Sequence, residues 1–536
     1  MTERRLSFLF HHTPPPEFER EPVLFRSRLG EDPKAISLNE LSVTSEPIVT
    51  HSFSLLVDWF RRKSLNLPHT IVDLEIAKKL LVGRPKSEFS GDPPWTMAKI
   101  LLELLPAEYH SNYVRHTLTT HLGKLAINES DNLRWITIIC QQLPALWQAM
   151  TTELQRKGEI QRFEEVEVPT YNALLDIQYH GLQVDLKERA SALIRLEQQY
   201  VSAHHELTIR RGVDVERAFI DLEYLCGMID QKLKPDDFTS VKEFIQSRKD
   251  LDQICWLLNC IDEARVNRRI LFRMGGENGV CFPIYDTVGT VTGRIMAIDP
   301  QLQYLKKQYR NVIAPRSERT LVYVDYSHFE PNIMASVTKD PDLLNLCNQS
   351  DLYEALALQL MGRAQFRDIV KQMFLSYSYG MSLSRLVIYL KEAGFEEEDA
   401  QNIVRTRFVP LFSGVESWKI SIENQLHHSG RIETGLGGHR YRGRCGELEA
   451  KEKRWAISQV IQGTGSLILK KAIIRIKSSL LEATILLPMH DALLVEVPKT
   501  SASEVTRELL TCLRDAFLSI CPLGTGSVRV KAFTKG

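Results

Sequence analysis

A mixed α/β (α+β) protein with more than one domain is predicted by three features of this sequence. The chain has 536 residues, beyond the ~250–300 at which a single core stops growing. Two apolar runs of strand character, Leu321 to Val324 and Ile485 to Leu487, lie far apart, and each leads to an aspartate, Asp325 and Asp491. Between them, from Pro341 to about Leu426, apolar residues recur at helical spacing.

Bulk composition sets the outer bounds. Hydrophobic residues make up 43% and charged residues 25%, as in an ordinary soluble chain. Lys+Arg and Asp+Glu balance at 67 each, so any basic surface for nucleic acid has to be local. The 9 cysteines form no CxxC pair, which argues against a zinc site or a disulfide framework and for a reducing, cytoplasmic setting. The apolar run within Met1 to Phe10 is too short for a signal peptide, and no stretch approaches the ~20 apolar residues of a membrane span.

Taken in order, residues 1–45 carry Pro14, Pro15 and Pro16 among mixed charges, the composition of an extended N-terminal arm. Strand-like and helical segments then alternate up to Leu154, for instance Phe53 to Trp59, Ile71 to Val82 and Leu133 to Met150, as in a small α/β or helical domain. Glu165 to Asp185 reads as a helix bearing Leu174, Leu175 and Ile177, with Gly181 as its C-cap. Leu186 to Glu206 and Val241 to Phe272 are long, charged and helix-periodic, which suggests a projecting helix pair. Tyr285 to Ile295 is rich in β-branched residues and glycine, as strands joined by tight turns are, and Asp299-Pro300 is a turn signal. The C-terminal part combines a helix, Lys453 to Leu481, with strand runs that include Ala492 to Val497 and Val528 to Phe533.

Two aspartates at strand ends can hold two divalent ions ~3.5–4 Å apart, which stabilises the attacking and leaving oxygens of phosphoryl transfer. Either aspartate alone would more often be a turn or cap residue. The helical stretch between them carries Arg367, Lys371, Leu375 and Tyr379. At about 100° per residue these drift across only about 120° and share one face. An arginine and a lysine one turn apart there could grip a triphosphate, the first by bidentate contacts and the second as a point charge. A solvated basic helix has the same spacing, and Ile369, Val370, Met373 and Phe374 serve as core in either case.

Three motifs in order, Asp325 through Glu330, Arg367-Lys371-Tyr379-Gly380, and His490-Asp491, resemble the A, B and C motifs of family A DNA polymerases, the family of bacterial DNA polymerase I. Thr292-Gly293-Arg294 with Asp299 to Gln303 is similar to the family's TGR segment, and Gln462-Gly463-Thr464 to its QGT segment. Glu167 to Asp185 is similar to its entry into the thumb, so the resemblance covers residues 165–536.

The resemblance implies a right-hand polymerase and a role for each matching residue. Asp325 and Asp491 match the metal-binding aspartates, with the backbone carbonyl of Tyr326 completing a site for two Mg²⁺, Mn²⁺ being an alternative. Arg367 and Lys371 match the phosphate-gripping residues, the lysine also as acid for the leaving group. Tyr379 matches the residue beside the templating and incoming bases, and Glu330 the steric gate that fills the space of a ribose 2′-hydroxyl. Arg294, Arg454, Gln462 and His490 match contacts to the primer terminus or the template minor groove. A run of Lys451, Lys453, Arg454, Lys470 and Lys471 fits a phosphate-lined groove.

Four positions depart from the family. Leu375 stands where an aromatic packs on the sugar, His328 where glutamine is usual, Pro331 where an apolar residue follows the gate, and Ala492 where glutamate follows the second aspartate. The first and last of these bear on sugar discrimination and on metal use. Upstream, Thr50 to Leu55 occupies the place of a proofreading exonuclease motif without its acids, and the nearest later candidate, Asp131, has Ile127 four residues ahead where tyrosine belongs.

The implied layout is an arm over residues 1–45, a degenerate exonuclease-like domain over 46–165 and a polymerase domain over 166–536. Within the last, the thumb spans 186–281, the palm 282–340 and 430–536, and the fingers 341–429. The implied partners are primer-template DNA and dNTPs, with room for a processivity or replisome partner, in a bacterial cytoplasm or a phage or plasmid setting. Two rivals share part of the pattern: a single-subunit phage-type RNA polymerase, against which Glu330 argues, and a catalytically lapsed nucleic-acid-binding protein, against which the joint presence of Asp325, Asp491, Arg367 and Lys371 argues.

Overall fold

Where the sequence suggested an arm, the chain instead builds the middle of a sheet. The structure is a computed structural model that describes residues 6–13, 21–110, 114, 118, 130–211, 213–214, 219–220 and 252–535. Strand β1 (Ser7–His12) lies at the centre of five strands with β2 (Val23–Ser27), β3 (Lys34–Ala35), β4 (Ile48–Thr50) and β5 (Ile71–Asp73), in the order β3-β2-β1-β4-β5. β1 runs antiparallel to β2 and parallel to β4, which is parallel to β5. All of β1 is buried, so it shows no polar alternation. The triproline and the side chain of Asp131 lie outside the described residues.

Helices cover this sheet. Asp73 accepts from the Glu75 amide at 2.8 Å and so caps α1 (Leu74–Val82). From α2 (Ser130–Lys157), Trp135 meets Phe10 edge to face at 6.0 Å. In α3 (Val168–His180), Leu174, Leu175 and Ile177 are buried as the sequence suggested, and the chain leaves through Gly181 at φ +63°, a left-handed conformation that glycine adopts freely. These segments, with residues 284–296 and 322–531, form one compact unit.

A second unit comprises residues 181–283, 297–321 and 532–536. Its small antiparallel sheet has β6 (Leu182–Val184) between β7 (Val280–Cys281) and β8 (Ile313–Ala314). The expected helix pair is represented by α4 (Leu186–Arg211) and α5 (Asp252–Arg273), residues 241–251 of the second lying outside the described residues. Leu196, Tyr200 and Leu207 of the first and Ile254, Leu258 and Ile261 of the second are buried. Polar faces are tied as well, Arg189 Nε donating to the Leu271 carbonyl at 2.6 Å.

The rest of the first unit carries both aspartates. β9 (Arg319–Tyr326) leads into α6 (Phe329–Thr338), followed by α7 (Leu352–Met361), α8 (Arg367–Ser378), α9 (Ser413–Ser429) and the hairpin β10 (Arg431–Thr434) and β11 (Gly437–Tyr441). The long helix α10 (Ala450–Ser479) precedes β12 (Thr484–Pro488), β13 (Ala492–Pro498), α11 (Ala502–Leu518) and β14 (Val528–Lys531). Four strands form a sheet in the order β12-β13-β9-β14. β13 is buried along all but its last residue, as an interior strand covered on both faces should be. Among the described residues no helix is long and apolar enough to cross a membrane.

One basic residue does not belong to a groove. Lys470 is fully buried in α10, its Nζ donating to both Glu167 carboxylate oxygens at 2.9 and 2.7 Å, while Arg162 Nε donates to the same carboxylate at 2.9 Å. Burial pulls the Lys470 ammonium down to about 8 against the attraction of Glu167. A lysine in a helix reads as solvated unless its partner, some three hundred residues earlier in the chain, is known.

Candidate active site

Sheet order brings the two aspartates together. β9 and β13 are neighbours, and the Tyr326 amide donates to the Asp491 carbonyl at 3.2 Å, joining the end of β9 to the turn before β13. Asp325 is only 7% exposed. Burial, and then the negative charge of Asp325, push the Asp491 carboxyl up to about 6. An acidic pair whose members repel each other, one buried and the other half-buried, fits a cation. Among the described residues no three His, Cys, Asp or Glu gather closely enough to hold a metal alone, so further oxygens would have to come from main chain, water or substrate. The Tyr326 side chain cannot contribute: its ring stacks on Phe329 at 4.6 Å and its hydroxyl donates to the Leu513 carbonyl at 2.7 Å.

Glu330, in the first turn of α6, links three of the predicted residues. Arg294 Nη2 donates to its Oε1 at 2.9 Å, and the Tyr379 hydroxyl donates to its Oε2. The Gln462 side chain reaches the same hydroxyl. Desolvation and then the Glu330 charge raise the tyrosine, so it stays a neutral donor. Leu375 lines a small cavity with Glu330, Pro331, Met334, Tyr379 and Ile461. His490 is held below the usual imidazole range by burial and then by Arg294, against the pull of Glu330.

Helix α8 keeps its predicted polarity. Val370, Met373 and Phe374 are buried whereas Ile369 is only partly so, and Lys371 is exposed. Tyr379 stands just past the helix, and Gly380 at φ +87° makes the left-handed exit. A Cβ on Gly380 would come within 3.0 Å of Arg454 Cγ, so the turn lies against that arginine. Arg367 and Lys371 both stand over the Tyr353 ring, each 5.8 Å from its centroid. His328, at φ 48°, meets the same ring edge to face at 5.4 Å.

Several neighbours were not anticipated. Asp351 accepts from Arg367 Nε at 2.9 Å and Nη2 at 2.8 Å while capping α7 through the Tyr353 and Glu354 amides. An Asp-x-x-Glu start to an apolar helical run could have marked it as a cap, not as an arginine partner. Lys531 Nζ lies 2.6 Å from Asp325 Oδ1. Nothing local marks Lys531; its place follows from β14 pairing with β9 in a register that opposes Arg529 to Asp325 and Lys531 to Tyr323.

Comparison with known proteins agrees with this geometry. The model of DNA polymerase family A matches residues 267–527. The chain is 24% identical to DNA polymerase I of Aquifex aeolicus over 399 residues, 69% of this chain and 67% of that one. It is 30% identical to DNA polymerase theta of Caenorhabditis elegans over 239 residues, 42% of this chain but only 14% of the relative. A solved polymerase domain of Pol1 from M. smegmatis, in complex with DNA primer-template and dNTP, superposes with a TM-score of 0.76 at 18% identity, covering 98% of this chain and 94% of that one. That superposition carries the right-hand polymerase fold, and the matched family does not favour the RNA polymerase rival.

Proposed function

We propose that the chain is a family A DNA polymerase that extends the 3′ end of a DNA primer, directed by a template, from deoxynucleoside triphosphates. The observation that carries this is the acidic pair that sheet order brings together, Asp325 buried in β9 and Asp491 half-buried in the turn before β13, within reach of the charges of Glu330 and Arg294. The layout we propose is thumb 186–281, palm 282–340 and 430–536, and fingers 341–429, behind a degenerate exonuclease-like region.

In this reading Asp325, Asp491 and the Tyr326 carbonyl hold two Mg²⁺. Bound there, the ions would acidify the primer hydroxyl and neutralise charge on the leaving pyrophosphate. Arg367, oriented by Asp351, grips the triphosphate through its fork, and the exposed Lys371 supplies a mobile ammonium that can protonate the leaving group. Glu330 is pinned at both oxygens, so it cannot swing away from the sugar of an incoming nucleotide. Leu375 and His328 line that side of the nucleotide, and Arg454, Gln462, Arg294 and His490 face the primer terminus and minor groove.

The deciding experiment is primer extension on DNA and RNA templates with dNTPs or rNTPs. We expect dNTP incorporation on DNA and a loss of roughly 10²–10³-fold in Asp325→Asn, the cost of removing one preorganised group at the reacting charge. Equal activity in both proteins would refute the metal assignment, and a preference for rNTPs would refute the gate.

A further inference from the structure

We infer that Lys531 is a tethered counter-ion of Asp325, so that a divalent ion enters this site by displacing an ammonium and does so in company with the triphosphate; this rests on the metal role proposed above for Asp325. The contact is direct, Nζ lying 2.6 Å from Oδ1, and the lysine is 37% exposed whereas the aspartate side chain is 10% exposed. The ammonium can therefore leave toward solvent while the carboxylate stays. Its anchor is the sheet itself: opposite Tyr323 and on the same face as Asp325, Lys531 can hardly drift from the carboxylate two residues along.

The charge balance gives the contact a consequence. Glu330 is committed to Arg294 and Tyr379, which leaves Asp325 and Asp491 as the acids free to meet a cation, with Lys531 already against one of them. Two carboxylates and one ammonium present a single net negative charge to an arriving divalent ion. A nucleoside triphosphate changes that, because it brings its own anionic oxygens both to the metal and to the displaced ammonium. Further cations stand nearby: Arg529, opposite Asp325 in the strand register, shares the β14 face of Lys531, and Arg367 from α8 stands over the Tyr353 ring that His328 meets. In this inference the polyphosphate passes among these cations.

Mn²⁺ titration of the full chain followed by electron paramagnetic resonance, without DNA so that no turnover occurs, tests this. We expect weak Mn²⁺ binding to the wild type alone, and binding in the presence of dATP well beyond that of the nucleotide by itself. Lys531→Met should tighten binding to the free protein by roughly tenfold, since one screened unit charge close to the ion is removed, with a smaller gain when dATP is present. Lys531→Arg should behave as the wild type, which controls for folding. If Lys531→Met leaves the affinity of the free protein unchanged while Asp325→Asn abolishes it, the counter-ion role falls and the metal site stands. Mn²⁺ binding that survives Asp325→Asn unaltered would overturn the metal assignment and this inference with it.

Discussion

Glu330 shows how a single carboxylate can be given one job. A glutamate in the first turn of a helix would ordinarily sample several rotamers at little cost, but here one oxygen takes the Arg294 guanidinium and the other the Tyr379 hydroxyl. Charge-assisted bonds of this kind are about twice as strong as neutral ones, and two of them fix direction as well as position. In the proposed reaction that rigidity matters more than the charge, because a gate discriminates only if it cannot yield. Replacing Glu330 with alanine should therefore raise rNTP relative to dNTP incorporation by roughly 10–200-fold, the span expected when a steric contact worth a few kcal/mol is lost. Tyr379→Phe removes one of the two restraints and should move the ratio in the same direction by less. Steady-state kcat/KM for dATP against ATP on one template checks both, and an unchanged ratio in Glu330→Ala would remove the gate role.

At the level of elements, buried charge decides what the long helix α10 can tolerate. Lys470 and Glu167 are both fully buried, with Arg162 as a second cation on the same carboxylate. Breaking such a pair by removing one partner costs about 3–5 kcal/mol; with Arg162 still in place, Lys470→Ala should fall near 3 kcal/mol. Lys453, paired with Glu423 at 2.7 Å but 43% exposed, should cost under about 1 kcal/mol when truncated. Urea midpoints at constant slope would separate the two, and equal shifts would contradict the buried network. The same contrast explains what the sequence could and could not tell. Periodicity found α3, α4, α8, α10 and the strands beside the aspartates, because local spacing determines which face is apolar. It put Lys470 in a groove and missed Asp351 and Lys531, because those partners are set by sheet order and helix packing across long sequence separations. β1 was invisible for a related reason: it lies between antiparallel β2 and parallel β4, the latter some forty residues away, and burial on both faces leaves no alternation to read.

On the scale of the whole molecule, the N-terminal sheet is folded and tightly packed, so the question is what chemistry its interior allows. Three histidines gather at the ends of β1 and β4: His11 stacks on His51 at 4.4 Å, its Nε2 meets the His51 carbonyl at 2.6 Å, and His12 adjoins. Burial lowers His11 and His12 to about 4, so both are neutral at pH 7. An unfolded chain would protonate them near 6.5 and the folded one only near 4; stability is therefore complete above about pH 6.5 and declines as pH falls toward 4, by up to about 3 kcal/mol per imidazole. Chemical denaturation at pH 7 and pH 5 should show that loss, and His11→Gln with His12→Gln should flatten it. The nearby acids are no freer to act. Asp73 accepts from the Tyr171 hydroxyl at 2.9 Å, and Glu75 accepts from Ser52 at 3.1 Å and the Met97 amide at 3.0 Å. Burial and then Asp73 push Glu75 up to about 7, so at neutral pH a proton sits on the pair for much of the time. In the reading proposed above these carboxylates, engaged as caps and hydrogen-bond acceptors, serve a scaffold, whereas excision of a nucleotide needs several of them free to share two ions. The purified protein should accordingly release no nucleotide from a mismatched 3′ end, with or without dNTPs, and should extend or stall there instead. Release of nucleotide that is lost in Asp131→Ala or Asp73→Asn would show that the region excises after all.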